Sequence, residues 1–400
     1  MNIVGIVGEY NPFHYGHLYH LLETKKLFDD CAVVCAMSGD FVQRGEAALF
    51  DKFVRAEAAC RCGVDLVLEL PVRWALSSAE GFADGAVQLL NNAGCEYISF
   101  GSECGNIKLM EETAELFCGG SFIEEIKEKM RTDKELSFAA ARETVLSEYS
   151  RELSEIIKTP NNILGVEYIK AIKNREYNIR PLTVKRRGNA HDSYGGEELP
   201  SASEIRQRFF QGEQIERFIP AEAWSVYARA IEDGRVQNRE LFDMILLSRL
   251  RMFGREYYNS LPDTSDGLGN RLFRASRECT ALQEMYNITK TKKYAMSRVR
   301  RACMCACIGI TKDSASDALP YIRVLAANKK GRFVLKKITE EKCVPVITKP
   351  TSVKKYDKKY QKMFADGVSA NDLYVLGVSN KSVAYGGQDW TKSPIIVEDA

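Results

Sequence analysis

Short, β-branched apolar runs alternate with longer amphipathic segments through the first quarter of the chain. Ile3 to Val7, Cys31 to Met37, Asp65 to Leu70 and Glu96 to Phe100 have the length and residue types of buried strands. Between them the pattern predicts helices that end near Phe28, span Asp51 to Cys62 and run from Ser78 to Ala93, with Gly63, Pro71 and Gly94 as punctuation. Ile179 to Lys185 predicts a fifth strand. Strands that are apolar along their whole length are covered on both faces, so this order predicts an α/β class, a Rossmann-like parallel sheet between layers of helices. Ligands of such sheets sit beyond the carboxyl ends of the strands. Gly8 to Gly16, Ser38 to Glu46 and Gly101 to Glu103 all fall there.

Asn106 to Ser154 is helical and amphipathic, and mixed charges over Glu111 to Lys129 mark a solvated face. Pro160 opens another helix that runs to Ile172. Past Arg208 the alternation stops. Trp224 to Ala230, Glu240 to Phe253 and Leu272 to Met285 read as helices, and Asp372 to Val383 as a packed final strand or two. The expected division is residues 1–210, an α/β domain with a helical insertion at about 106–154, followed by a mainly α-helical domain at 211–400.

Composition changes this picture little. With 45% hydrophobic and 28% charged residues among 400, the chain is an ordinary globular one. A net charge of +2 does not announce a nucleic-acid partner, so such a claim rests on clustering of basic residues. No run of about 18 apolar residues could span a bilayer. No signal-length core opens the chain, since Gly8 and Glu9 interrupt it, and the expected location is cytoplasmic without membrane association. The 12 cysteines include Cys60/Cys62 and Cys303/Cys305/Cys307, whose two-residue spacing on a helix aims neighbours apart. They read as buried thiols, and no metal site is assigned.

The chemistry concentrates where the first strand hands over to the first helix. VGIVGEYNPFHYGHLYH, Val4 to His20, holds three of the four histidines. A loop that opens a helix offers unpaired N–H groups and the positive end of the helix dipole, which suits phosphate. His14 and His17 bracket Gly16, so two imidazoles could donate to phosphate oxygens. The bland account is that they cap the helix. Lys185, Arg186 and Arg187 leave the fifth strand toward the same region, and SASEIR, Ser201 to Arg206, opens a helix with hydroxyls and amides available to phosphate. His191 lies in the polar loop between them.

H-x-G-H at His14 to His17 resembles the signature of the nucleotidyltransferase superfamily that includes class I aminoacyl-tRNA synthetases. The strings GEYNPFHYGHLYHL, MSGDFVQRGEAAL, DLVLELP, FGSE, PNNILGVEYIKA and PSASEIRQ, in this order, resemble the bacterial tRNA(Met) cytidine acetate ligase family over nearly the whole chain. That resemblance implies ATP and acetate as substrates, an acetyl-adenylate intermediate, and acetylation of N4 of the wobble cytidine in elongator tRNA(Met). It implies that His14 and His17 stabilise the α-phosphate, and that ATP is cradled by Val7, Gly8, Glu9, Tyr10, Asn11, Pro12, Phe13, Tyr15, Gly16, Leu18, Tyr19 and His20. Further contacts carried over from it are Gly101, Asn162 (or Asn161) and Arg187 (or Arg186), with Ser203 and Arg206 on the β- and γ-phosphates. The last motif departs from its usual form at Pro200 and Ala202. Asp40, Gln43 and Arg44 are expected at the acyl or cytidine pocket. Mg2+ is expected with the triphosphate, although no carboxylate cage is legible.

Ile288 to Arg301 carries Lys290, Lys292, Lys293, Arg298, Arg300 and Arg301 and no acid, with Tyr294 among them, which suits a tRNA backbone. Lys354, Lys355, Lys358, Lys359 and Lys362 form a second cluster. No stable protein partner is inferred. Two other classes keep part of this pattern: a small-molecule adenylyltransferase would not need the basic helical domain, and a nucleotide-sensing RNA-binding protein would not need both histidines.

Overall fold

The computed structural model describes residues 1–133, 136–186, 193–194, 197–198, 200–314, 319–341 and 343–398. Five of its strands, β1 (Asn2–Gly8), β2 (Cys31–Ser38), β3 (Leu66–Leu70), β4 (Tyr97–Ser102) and β5 (Arg180–Lys185), are the ones the apolar runs predict. All five are parallel, in the order β3-β2-β1-β4-β5. β1 lies between β2 and β4, so successive crossovers leave it in opposite directions and open a cleft at its carboxyl end. Side chains two apart along each strand enter the same core. Ala32, Val34 and Ala36 pack on one face with Leu66, Leu68 and Leu90, whereas Val33, Cys35 and Met37 pack on the other with Val4, Ile6 and Phe53.

The helices that matter for the cleft follow these strands. α1 is Tyr15–Lys25, α2 is Lys52–Arg61, α3 is Pro160–Asn174 and α4 is Ala202–Phe210. The segment predicted as an insertion forms four helices, Ile107–Cys118, Gly120–Thr132, Phe138–Tyr149 and Arg151–Ile156, which join the same core as α3. The polar loop after β2 contains a short hairpin, Phe41–Val42 paired with Glu46–Ala47.

The second half of the chain differs from its prediction in three places. Leu272 to Met285 is two helices, Leu268–Glu278 and Leu282–Thr289, separated at Cys279. Asp372 to Val383 is not a strand: it is the end of helix Lys358–Leu376 followed by a 3-10 turn, and Leu373, Tyr374, Val375 and Val378 join the helical core with Phe242 and Leu246. Most significantly, the C-terminal half is not apart from the sheet. β6 (Ile322–Ala327) pairs antiparallel with β3, and β7 (Val346–Ile347) and β8 (Ile395–Ile396) pair with β6 in parallel, giving eight strands among the described residues.

Arg323 disguises β6 in the sequence, and the fold shows why a charge sits there. Lys52 on α2, Glu69 on β3, Arg323 on β6 and Asp389 near the C-terminus form a buried ionic cluster. Lys52 Nζ lies 2.8 Å from Glu69 and 2.6 Å from Asp389, and Arg323 lies 3.0 Å from Glu69 and 2.8 Å from Asp389. Asp40, just past β2, completes it at 3.7 Å from Lys52. Removing one partner from such a cluster strands the others in a dry interior. Lys52→Met leaves three carboxylates against Arg323 alone. The expected loss is about 3–5 kcal/mol of unfolding free energy, read from urea denaturation followed by circular dichroism.

Candidate active site

The loop from β1 to α1 is fastened from several sides. Arg55 of α2 is fully buried and donates to the carbonyl oxygens of Phe50 at 2.9 Å and Glu9 at 2.5 Å, and also to that of Gly39. One side chain thereby holds the turns that follow β1 and β2. Asn11 Oδ1 accepts from Leu49 N–H at 2.8 Å, and the Tyr227 hydroxyl oxygen accepts from Phe13 N–H at 2.9 Å. From α4, Arg206 reaches back to donate to the Asn11 carbonyl at 2.7 Å. Asn11 Nδ2 is buried with no hydrogen-bond partner among the described residues, and Tyr10 has φ 45°.

At the start of α1 both histidines cap the helix, and their capping decides their chemistry. His14 Nδ1 accepts from Gly16 N–H at 3.0 Å, and His17 Nδ1 accepts from His14 N–H at 3.3 Å. Their rings lie 4.0 Å apart. Burial pushes His14 down to about 3, helped by Arg186 and Arg206; burial, then His14 and Arg186, hold His17 well below its usual range. Both rings are therefore neutral at pH 7. With each Nδ1 occupied as an acceptor, the hydrogen-bond network assigns the proton of each ring to Nε2. The result is two neutral N–H donors beside a helix N-terminus, a pair suited to phosphate oxygens. A Cβ on Gly16 would fall 2.7 Å from the His14 ring, so glycine is what lets that ring fold over the turn. His20 serves differently: its Nε2 is 3.1 Å from Ser99 Oγ, which also pairs with Thr24, and burial lowers it to about 4.

The other predicted positions arrive from separate elements. Gly101 ends β4 beside Arg186, whose Cγ would be 3.2 Å from a Cβ on that glycine. Asn162 is buried near the start of α3, where its Oδ1 accepts from the N–H groups of Glu103 at 2.9 Å and Cys104 at 3.1 Å. Its Nδ2 has no partner among the described residues. Asn161 instead holds Glu103 Oε1 at 2.5 Å. Ser203 Oγ accepts from Arg206 at 3.3 Å. Arg187 and His191 lie outside the described residues; of the described members of that basic triplet, Arg186 acts on His14 and His17.

The three residues expected at the acyl or cytidine pocket diverge. Gln43 N–H donates to Glu9 Oε1 at 2.8 Å and Arg44 is exposed, which puts both on the hairpin at the cleft. Asp40 is buried, accepting from Lys52 N–H at 2.9 Å and Asn371 at 2.8 Å, so both oxygens of its carboxylate hold the fold.

The hairpin also reaches the helical domain. Glu46 pairs with Arg206 at 3.4 Å through one oxygen and with Arg300 through the other. Gly45, at φ 74°, sits where a Cβ would come 2.4 Å from Arg301 N, at the start of α5 (Met296–Ile308). This changes the reading of the basic string. Arg300 is held by Glu46, while Arg298 and Arg301 both pair with Asp263, at 3.1 Å and 3.4 Å. The acids missing from the local sequence come from elsewhere in the fold. Lys290, Lys292 and Lys293 have no ion pair among the described residues. Arg55, Glu46 and Glu103 are the positions that sequence reasoning passed over; a lone arginine in the apolar face of α2 was the available signal for Arg55.

A family model described as HIGH Nucleotidyl Transferase matches residues 1–389. A protein of Thermoanaerobacter sp. (strain X514) named tRNA(Met) cytidine acetate ligase is 38% identical, over 96% of this chain and 97% of its own length. One of the same name from Acetivibrio thermocellus is 35% identical over 99% and 100%. The chain belongs to the tRNA(Met) cytidine acetate ligase family. The crystal structure of Thermotoga maritima TmcAL bound with alpha-thio ATP superposes with a TM-score of 0.92 at 30% identity, covering 100% of both chains. Members of this ligase family are enzymes, and the chain has the HIGH nucleotidyltransferase fold, a mostly parallel sheet with flanking helices. No helix among the described residues is long and apolar enough to cross a membrane, and no group of three or more potential metal ligands occurs among them.

The depressed imidazoles make acid sensitivity calculable. Their folded pKa lies below the unfolded value near 6.5, so the unfolded chain binds more protons between the two, and the associated stability is complete above about 6.5 and lost as pH falls below it. The expected slope is roughly 1.4 kcal/mol per pH unit for each such ring. In His14→Asn, which can still cap the helix, urea melts between pH 6.5 and 4.5 should show a dependence smaller by about one proton.

Proposed function

We propose that this chain joins acetate to ATP as acetyl-adenylate, releasing pyrophosphate, and then transfers the acetyl group to N4 of the wobble cytidine of elongator tRNA(Met), releasing AMP. The observation that carries the reading is the pair of neutral Nε2–H donors at the start of α1, in a chain whose full-length relatives bear the ligase's name.

The exocyclic amine of cytosine is a weak nucleophile and free acetate a weak acyl donor, so amide formation requires an activated carboxyl. Acetate is ionised at neutral pH, as carboxylates with pKa about 4 are, and attacks the α-phosphorus without a base. The site has to align the reactants and meet the charge that builds on the phosphoryl oxygens. The His14 and His17 donors and the N-terminal amides of α1 meet that charge. Arg206 and Ser203, at the start of α4, hold the terminal phosphates, and Arg186 faces the departing pyrophosphate. Asn162 offers its Nδ2 to the nucleotide. Mg2+ would accompany the triphosphate as its counterion, neutralising part of its charge. Lys290, Lys292 and Lys293 meet the tRNA backbone.

Labelled acetate incorporated into bulk bacterial tRNA in the presence of ATP tests the reading. His17→Ala should lower incorporation by about 100- to 1,000-fold, the cost of one transition-state donor. Label that never enters tRNA, together with pyrophosphate release on another acceptor, would instead indicate an adenylyltransferase of small molecules. Replacing Lys290, Lys292 and Lys293 by alanine should weaken tRNA binding at all sequences and reduce the slope of log affinity against log salt by about 2 to 3. Arg301→Ala should lower thermal stability instead, because that guanidinium is tied to Asp263.

A further inference from the structure

Acetyl transfer to an amine has a second requirement that the histidine pair does not meet. When the exocyclic nitrogen of cytosine bonds to the acetyl carbon it must lose a proton, and a group at the cleft with an open lone pair has to receive it. Neither histidine qualifies, because His14 Nδ1 and His17 Nδ1 both accept backbone N–H bonds and each Nε2 already carries a proton. Arg186 and Arg206 are cations.

Most of the carboxylates around the cleft are also occupied. Asp40 is bound through both oxygens, to Lys52 N–H and to Asn371. Glu46 faces Arg206 with one oxygen and Arg300 with the other. Glu69 meets Lys52 and Arg323. Glu103 accepts from Asn161 through Oε1, and from Thr159 and Asn162 N–H through Oε2.

Glu9 differs. It follows directly on the carboxyl end of β1, its backbone is fixed by Arg55, and its Oε1 accepts from Gln43 N–H at 2.8 Å. Its Oε2 has no partner among the described residues. We propose that Glu9 Oε2 is the base of the acyl-transfer step, taking the proton from the cytosine amine as its nitrogen attacks the acetyl carbon. This assignment rests on the ligase reading above. The N–C bond forms, the C–O bond to the adenylate breaks, AMP leaves with that electron pair, and the proton on Glu9 passes to water once the product departs. The surroundings fit a base of this kind. Burial raises the Glu9 carboxyl, and Gln43 N–H, Arg206, Arg44 and Arg55 oppose that rise.

Glu9→Gln separates chemistry from architecture, because the amide oxygen still accepts from Gln43 N–H but is no base. Two reactions of the full chain are compared: acetate-dependent ATP–pyrophosphate exchange, and single-turnover transfer from supplied acetyl-adenylate to elongator tRNA(Met). The expected result is at least a 100-fold loss of transfer, exceeding any loss of exchange by at least tenfold. Equal losses would make Glu9 a nucleotide contact and overturn the assignment. Unchanged transfer would overturn it in favour of the leaving phosphate or water as proton acceptor. A pH profile of transfer by the unsubstituted protein tests the same point independently of how the variant folds. A rate that climbs with pH through an acid limb supports Glu9, and a flat profile between pH 4.5 and 7.5 overturns it. Absence of both exchange and transfer in the unsubstituted protein would remove the ligase reading and this assignment together.

Discussion

Arg55 lies with its guanidinium fully buried, donating to three backbone carbonyls from two loops, Glu9 after β1 and Gly39 and Phe50 at the two ends of the connection from β2 to α2. No carboxylate pairs with it among the described residues. Carbonyl dipoles satisfy its donors, and its charge remains to act on whatever lies above. The turns after β1 and β2 have their relative position from this one residue, and so do Glu9, Gln43 and the entry into α1. A buried cation under a helix N-terminus also favours an anionic ligand through a medium that screens poorly.

The histidines show how a structural role can set up a chemical one. Two capping bonds consume the acceptor nitrogens, burial keeps the rings neutral, and what remains is a matched pair of donors. The capping account and the phosphate account of these residues are therefore the same arrangement seen from its two sides. The same bonds deny the rings any part in removing a proton, which turns attention to the carboxylates of the neighbouring loops.

Around this centre, charge joins parts of the chain that are distant in sequence. Lys52, Glu69, Arg323 and Asp389 bind the C-terminal segment to the sheet, and Glu46 joins the hairpin after β2 to α4 and α5. Each carboxylate so employed is fixed in place and removed from the list of free bases. The basic string from Ile288 to Arg301 is divided by the same logic: its arginines, on α5, brace the fold, and its lysines, which precede that helix, have no ion pair among the described residues.

The sequence by itself determined the parallel sheet, because strands apolar on both faces and regularly separated by amphipathic helices have few other solutions. It determined the histidine pair as well, since a strand, a glycine turn and a helix follow one another within some twenty residues and need no distant partner. Only the tertiary structure decided that Ile322 to Ala327 is a strand of that sheet, for the charge of Arg323 makes sense only beside Glu69 and Asp389. Only it decided that Asp40 is structural and Glu9 half free, and that Arg298, Arg300 and Arg301 are already paired. In each case the deciding partner lies tens to hundreds of residues away, and an ion pair or a buried hydrogen bond depends on separation in space, which local patterning does not encode.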